Sequence, residues 1–132
     1  MLLQLKANIS TKFIMLTLSH KKLTVWEFST DLVSEIYLLT DSYPSNEQYG
    51  LISQMRRASI SIVSNLSEGA SRKSKIEKSR FFEIARSSLV ELDAQIEVSI
   101  KLNFVQRADL RTLSEKMNST FSLLTGLIKS CQ

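Results

Sequence analysis

The spacing of apolar residues constrains this chain most strongly. Four stretches repeat apolar residues in steps of three and four, and no stretch alternates apolar and polar residues with period two. Such steps place the apolar side chains on one face of a helix. Three glycines and one proline are too few for the many turns of a β-sandwich or barrel. The sequence therefore predicts an all-α fold.

Local signals at the ends of these stretches set the helix boundaries. Three matches to the capping-box pattern predict helix starts, at Thr24 with Glu27, Ser45 with Gln48 and Ser74 with Glu77. Three residues predict helix ends: Pro44, Gly69 as a left-handed cap, and Asn103. The predicted helices span about residues 23–42, 45–69, 74–103 and 107–130.

The lengths of these segments predict one domain. The joins are short, so consecutive helices should run antiparallel, as an up-down-up-down four-helix bundle. The chain of 132 residues fits a single domain, which we place at residues 20–132. We interpret residues 1–19 as a flexible or over-annotated leader, because Met15 is itself a possible start.

Charge is distributed unevenly along the sequence. The net charge is +4, but residues 23–55 contain five acids and no lysine or arginine, whereas residues 56–86 have a net charge of +5. The basic segment is able to contact nucleic-acid phosphates. Alternatively, it faces the acidic segment of a neighbouring subunit, or it is a solvated surface without a partner.

Composition argues against several classes of function. A single histidine, His20, and a single cysteine, Cys131, exclude a zinc site built from these residue types in one chain. The three scattered glycines do not form a phosphate loop, so we expect no cofactor and no enzymatic activity. The lone cysteine favours the reducing cytoplasm, and no run of 18 apolar residues predicts a membrane span.

Two arginines interrupt a strongly apolar helix. Arg56 and Arg57 are adjacent, so a wide apolar stripe allows at most one of them to point fully outward. A partly buried arginine needs a carboxylate or several carbonyls, and the candidate acids are those of the first helix or Glu91 and Asp93. The alternative is a phosphate clamp. Near the end of the same helix, Glu68 also suggests a basic partner.

Several ordered motifs resemble one bacterial family of four-helix bundles. They are LTVWE at 23–27, YPSNEQYGL at 43–51, QMRRA at 54–58, NLSEG at 65–69, and Ser87, Leu89, Glu91 and Leu92. The family is encoded in intervening sequences of large-subunit ribosomal RNA genes and includes the accessory variability protein of diversity-generating retroelements. The resemblance implies an antiparallel bundle, assembly into a ring-shaped homopentamer, and a basic surface that binds nucleic acid and associates with a reverse transcriptase.

Two functional hypotheses follow. The first is a non-enzymatic ring that binds nucleic acid, with structured RNA as the expected ligand. The alternative is a protein-interaction scaffold, such as a reverse-transcriptase accessory subunit, without direct nucleic-acid contact. The candidate nucleic-acid-binding residues are Arg56, Arg57, Arg72, Lys73, Lys75, Lys78 and Arg80.

Overall fold

The computed structural model describes residues 13–132, and within that range the fold is all-α, with four α-helices and no strand. The predicted all-α class and the count of four helices are therefore confirmed for these residues. No helix in this range is both long and apolar enough to cross a bilayer. The helices are α1 (Thr24–Thr40), α2 (Leu51–Ser71), α3 (Lys75–Lys101) and α4 (Arg111–Ser130).

One apolar core joins the four helices. Helix α1 contacts α2 and α4, and α3 contacts the same two helices. Burying a leucine or isoleucine side chain contributes about 1.5–3 kcal/mol, so the apolar stripes hold the helices together. The large apolar side chains that are most completely buried are Leu32, Ile36, Met55, Ile62, Leu66, Leu92 and Leu124.

Of the three predicted capping boxes, only the one at α3 forms the expected hydrogen bond from a backbone amide to the capping hydroxyl. The Ser74 hydroxyl accepts a hydrogen bond from the Glu77 amide at 3.1 Å, as predicted. The predictions for Thr24 and Ser45 are wrong, because neither side chain caps a helix. Short 3₁₀ turns precede three helices, at Ser19–Lys22, Ser45–Glu47 and Arg107–Leu110.

Helix α2 begins six residues later than predicted, at Leu51 rather than Ser45. The backbone of Gly50 has φ −109° and ψ −113°, which is not helical and separates the 3₁₀ turn from the helix. A carboxylate replaces the expected hydroxyl cap, since Glu47 Oε2 accepts a hydrogen bond from the Leu51 amide at 3.1 Å.

The predicted helix ends have different outcomes. Asn103 adopts a positive φ of 62° just after α3, so its prediction as a terminator is confirmed. The prediction of Gly69 as a left-handed cap is wrong, since Gly69 lies inside α2 without a positive φ. Glycine fits this position for a steric reason instead. A Cβ atom on Gly69 would lie 2.7 Å from the Phe82 ring of α3.

The structure covers only the last part of the proposed leader. Residues 1–12 of that leader lie outside the described residues, and residues 13–19 are exposed. The next residue, His20, is buried within the 3₁₀ turn that leads into α1. The folded part of the described chain therefore includes this turn.

Candidate nucleic-acid interface

The basic segment of the sequence maps to the junction between α2 and α3. Residues 72–74 connect the two helices, and the first turns of α3 follow immediately. Lys73, Lys75 and Arg80 are exposed there. Within residues 13–132 none of the three forms an ion pair. We refer to Arg72, Lys73, Lys75, Lys78 and Arg80 as the basic junction.

Arg72 has local partners. Its Nη2 atom lies 3.1 Å from Glu68 Oε2, and its guanidinium lies 4.8 Å from the centre of the Phe81 ring. The basic partner expected for Glu68 is therefore Arg72. Both side chains are about half exposed, and ion pairs near the surface contribute at most about 1 kcal/mol. A phosphate is therefore able to compete with Glu68 for this guanidinium.

Lys78 stabilises the junction itself. Its Nζ atom donates a hydrogen bond at 2.9 Å to the carbonyl of Ala70, in the last turn of α2. The final carbonyls of a helix lack partners within that helix, and a basic side chain also interacts favourably with the helix dipole there. Lys78 therefore ties the start of α3 to the end of α2 and holds the basic junction in shape.

The two adjacent arginines of α2 differ in their surroundings. The Arg56 guanidinium donates to Thr40 Oγ1 and to Asp41 Oδ1, both at 2.9 Å, and it lies 4.4 Å from the centre of the Tyr37 ring. These contacts match the structural alternative, with an acid at the end of the first helix as partner. Arg57, by contrast, is exposed.

Most of the acidic segment is engaged within the chain. Lys116 of α4 lies between two acids of α1, at 3.5 Å from Asp31 and 3.7 Å from Glu35. Four of the five acids in residues 23–55 therefore have a partner within the chain, namely Asp31, Glu35, Asp41 and Glu47. These partners account for most of the acidic segment without a neighbouring subunit.

His20 is a buried polar residue whose role the sequence did not reveal. Its Nε2 atom lies 3.0 Å from the Ser67 hydroxyl of α2, and its ring packs edge-to-face against Trp26 with centroids 5.0 Å apart. Burial lowers the pKa of His20, and the positive charge of Lys21 lowers it further. The only signal in the sequence was its position immediately before the first apolar stripe.

A groove of about 530 Å³ runs between α3 and α4. Leu110, Leu113 and Met117 line it with apolar surface, and an ion pair crosses its rim. The Arg107 guanidinium donates two hydrogen bonds to the Glu97 carboxylate, at 3.1 and 2.6 Å. That bonding lowers the pKa of Glu97. Across residues 13–132, no three potential metal-ligating side chains converge on one site.

Comparison with protein families identifies the chain. The sequence model of the 23S rRNA-intervening sequence proteins matches residues 21–126. The chain belongs to this family. The match includes the basic junction and both arginines of α2, and it begins one residue after His20. The family expected from the sequence motifs is therefore confirmed.

A solved structure agrees with the fold of this 23S rRNA-intervening sequence protein. It is a protein of unknown function from the S23 ribosomal protein family of Bacteroides thetaiotaomicron, with a TM-score of 0.72 and 20% sequence identity. The likeness covers 80% of this chain and 95% of that one. No curated protein matches the sequence significantly.

Proposed function

We propose that this family member is a non-enzymatic cytoplasmic protein that binds nucleic acid, with structured RNA as its ligand. The observation that carries this proposal is the set of exposed cations Lys73, Lys75 and Arg80, which form no ion pair within the described chain. The family description, which refers to intervening sequences of 23S rRNA, supports RNA as the ligand.

The binding mechanism is electrostatic. Lysine and arginine side chains that contact phosphates release condensed counterions, and this release makes affinity fall steeply as salt rises. Phosphate contacts position a protein on its ligand and carry little sequence information. The shape of the folded RNA, rather than its base sequence, therefore determines which ligand fits the surface.

The candidate residues have different roles in this surface. Lys73, Lys75, Arg80 and the exposed Arg57 contact phosphates directly. Arg72 joins them by exchanging its weak ion pair with Glu68 for a phosphate. Lys78 and Arg56 act mainly by maintaining the structure, through the carbonyl of Ala70 and through Thr40 and Asp41.

We also propose an antiparallel up-down-up-down bundle that assembles into a ring-shaped homopentamer. Two contacts support an antiparallel arrangement of α2 and α3, because residue numbers rise along α2 while those of the contacted residues fall along α3. Met55 Sδ lies 3.6 Å from Ser99 Oγ, and Ser61 Oγ lies 2.8 Å from Ser88 Oγ. A ring would present several copies of a modest basic surface and raise its avidity.

A second candidate function is a protein-interaction scaffold, for example beside a reverse transcriptase. The observation that favours it is the apolar groove between α3 and α4. Val90 and Phe121 line this groove and remain about half exposed, so a partner would bury apolar surface there. In this alternative the basic junction makes no direct contact with RNA.

Charge reversal tests the two functions against each other. The variant Lys73→Glu with Lys75→Glu should lose retention of a labelled hairpin RNA at low salt, while light scattering shows unchanged assembly. Lys101→Glu is the matched control, because Lys101 is exposed at the far end of α3. Loss of assembly with RNA retention intact would favour the scaffold.

The salt dependence of the wild-type protein provides an independent measure. Each phosphate contact removed should lower the slope of log affinity against log salt by about 1. The double variant is therefore expected to have a slope shallower by about 2. Wild-type binding that does not change with salt, or no binding at low salt, would contradict the proposal.

A further inference from the structure

The 3₁₀ turn Ser19–Lys22 is fixed to the end of the fold by His20. The ring is 7% exposed, its Nε2 atom pairs with the Ser67 hydroxyl at 3.0 Å, and its edge meets the Trp26 ring. An aromatic pair of this geometry contributes about 0.5–1.5 kcal/mol beyond area burial. One side chain therefore connects the turn to both α1 and α2.

The location of Ser67 determines where the turn lies. Ser67 is four residues before the end of α2 at Ser71, which corresponds to about 6 Å along the helix axis. The basic junction begins at the next residue, Arg72. Arg72, the first cation of the junction, is therefore five residues from Ser67, about 7.5 Å along the helix axis, and His20 fixes the turn near this end of α2.

The two lysines that follow His20 have different environments. Lys21 Nζ donates a hydrogen bond to the Leu16 carbonyl at 2.9 Å, so its ammonium group is engaged locally. Lys22 is exposed and forms no ion pair within residues 13–132. The charge of Lys22 is thus available to an external anion.

We propose that Lys22 belongs to the polyanion-binding surface and that His20 is the positioning residue that holds it beside the basic junction. The inference rests on the proposed function, because it extends the same surface by one cation. It also gives a reason for the burial of His20, in a turn that contributes no leucine or isoleucine to the core. The ligand of the extended surface is again a phosphate backbone.

Trp26 provides a readout of the turn that does not depend on nucleic acid. It is the only tryptophan in the chain, and it packs directly against the His20 ring. His20→Ala should shift Trp26 emission to longer wavelength, because the indole becomes more hydrated. Ser67→Ala keeps the ring contact but removes its hydrogen-bond partner, so it should cause a smaller shift in the same direction. Unchanged emission in both folded variants would overturn the positioning role.

A double-mutant cycle on a labelled hairpin RNA tests the contact itself. Lys22→Ala should weaken binding about threefold to tenfold at low salt and lower the salt slope by about 1. In the His20→Ala background the same change should weaken binding less than twofold, since Lys22 is no longer held in place. Lys101→Ala is the control, and it should leave affinity unchanged in either background.

The outcomes separate this inference from the proposed function. Equal losses from Lys22→Ala in both backgrounds would overturn the positioning by His20. Normal wild-type binding with no effect of Lys22→Ala would overturn the Lys22 contact alone. Failure of the wild-type protein to bind the hairpin at low salt would overturn both the function and the contact, and the Trp26 emission would still decide the placement of the turn.

Discussion

The Phe82 ring of α3 lies so close to Gly69 of α2 that a Cβ atom there would be 2.7 Å from the ring. The next ring atom would be at 2.8 Å, and Phe81 Cβ at 3.1 Å. Phe82 is itself buried, so its ring has little room to move away. The two helices therefore approach each other closely beside the basic junction.

Gly69→Ala should destabilise the protein. Overpacking a core costs about 1–3 kcal/mol, and a helical glycine replaced by alanine recovers at most about 1 kcal/mol. We expect a net loss of about 1–2 kcal/mol in the free energy of unfolding, measured by urea denaturation. Gly126→Ala is the control, because nothing lies within 4 Å of its added Cβ. That variant should be as stable as the wild type or more stable by up to about 1 kcal/mol. A stabilised Gly69→Ala would show that Phe82 can move.

Ser74→Ala should remove a helix cap. The lost hydrogen bond to the Glu77 amide is expected to lower the free energy of unfolding by about 1 kcal/mol. Ser45→Ala is the comparison, since Ser45 matched the same sequence pattern but makes no capping hydrogen bond. Its effect should stay within about 0.5 kcal/mol. Equal losses from both changes would contradict the assignment of the cap.

Arg56→Ala should destabilise the contact between α1 and α2. The Arg56 side chain is 23% exposed and bonds Thr40 and Asp41. Its removal takes away the donor to the buried Thr40 hydroxyl, which keeps its own bonds to backbone carbonyls of α1, and the cation beside the Tyr37 ring. A loss of about 1–3 kcal/mol is expected by thermal or urea denaturation. Arg57→Ala, on the exposed side of the same helix, should change stability by less than about 0.5 kcal/mol while weakening RNA binding. The reverse pattern would assign the structural role to Arg57.

The free energy of unfolding should depend on pH through His20. Its pKa is lowered in the folded protein by burial and by Lys21, relative to a usual value of 6.5. The unfolded chain therefore binds more protons, and stability contributed by neutral His20 is present above pH about 6.5 and is lost as pH falls through the folded pKa. Urea titrations between pH 8 and pH 5 should show this loss, and His20→Gln should reduce it. A pH profile unchanged by His20→Gln would refute the linkage.

The sequence was sufficient for features that depend on local chemistry and periodicity. The apolar stripes located four helices. Ser74 and Asn103 marked helix boundaries correctly, because a cap and a positive φ depend only on the backbone within a few residues. Gly69 was misjudged because its reason lies in another helix, where Phe82 occupies the space of a side chain. A pattern within one helix does not contain that information.

The candidate site was predictable only in part for the same reason. The run of cations after Gly69 is visible in the sequence, but the sequence does not show which members are already engaged. Lys78 reaches eight residues back to Ala70, and Arg56 reaches 16 residues back to Thr40. His20 was missed because its partner Ser67 lies 47 residues away. Contacts over such separations depend on how the helices pack together.

The groove between α3 and α4 has a consequence for amide hydrogen exchange. The core residues that line it, Leu113 and Met117, keep 8% and 9% of their surface exposed, whereas Ile62 and Leu66 of α2 are completely enclosed. A segment with fewer buried apolar contacts opens locally at a lower free-energy cost. Amide protons of the first half of α4 should therefore exchange with deuterium sooner than those in the middle of α2. The first half of α4 would then open locally before the middle of α2.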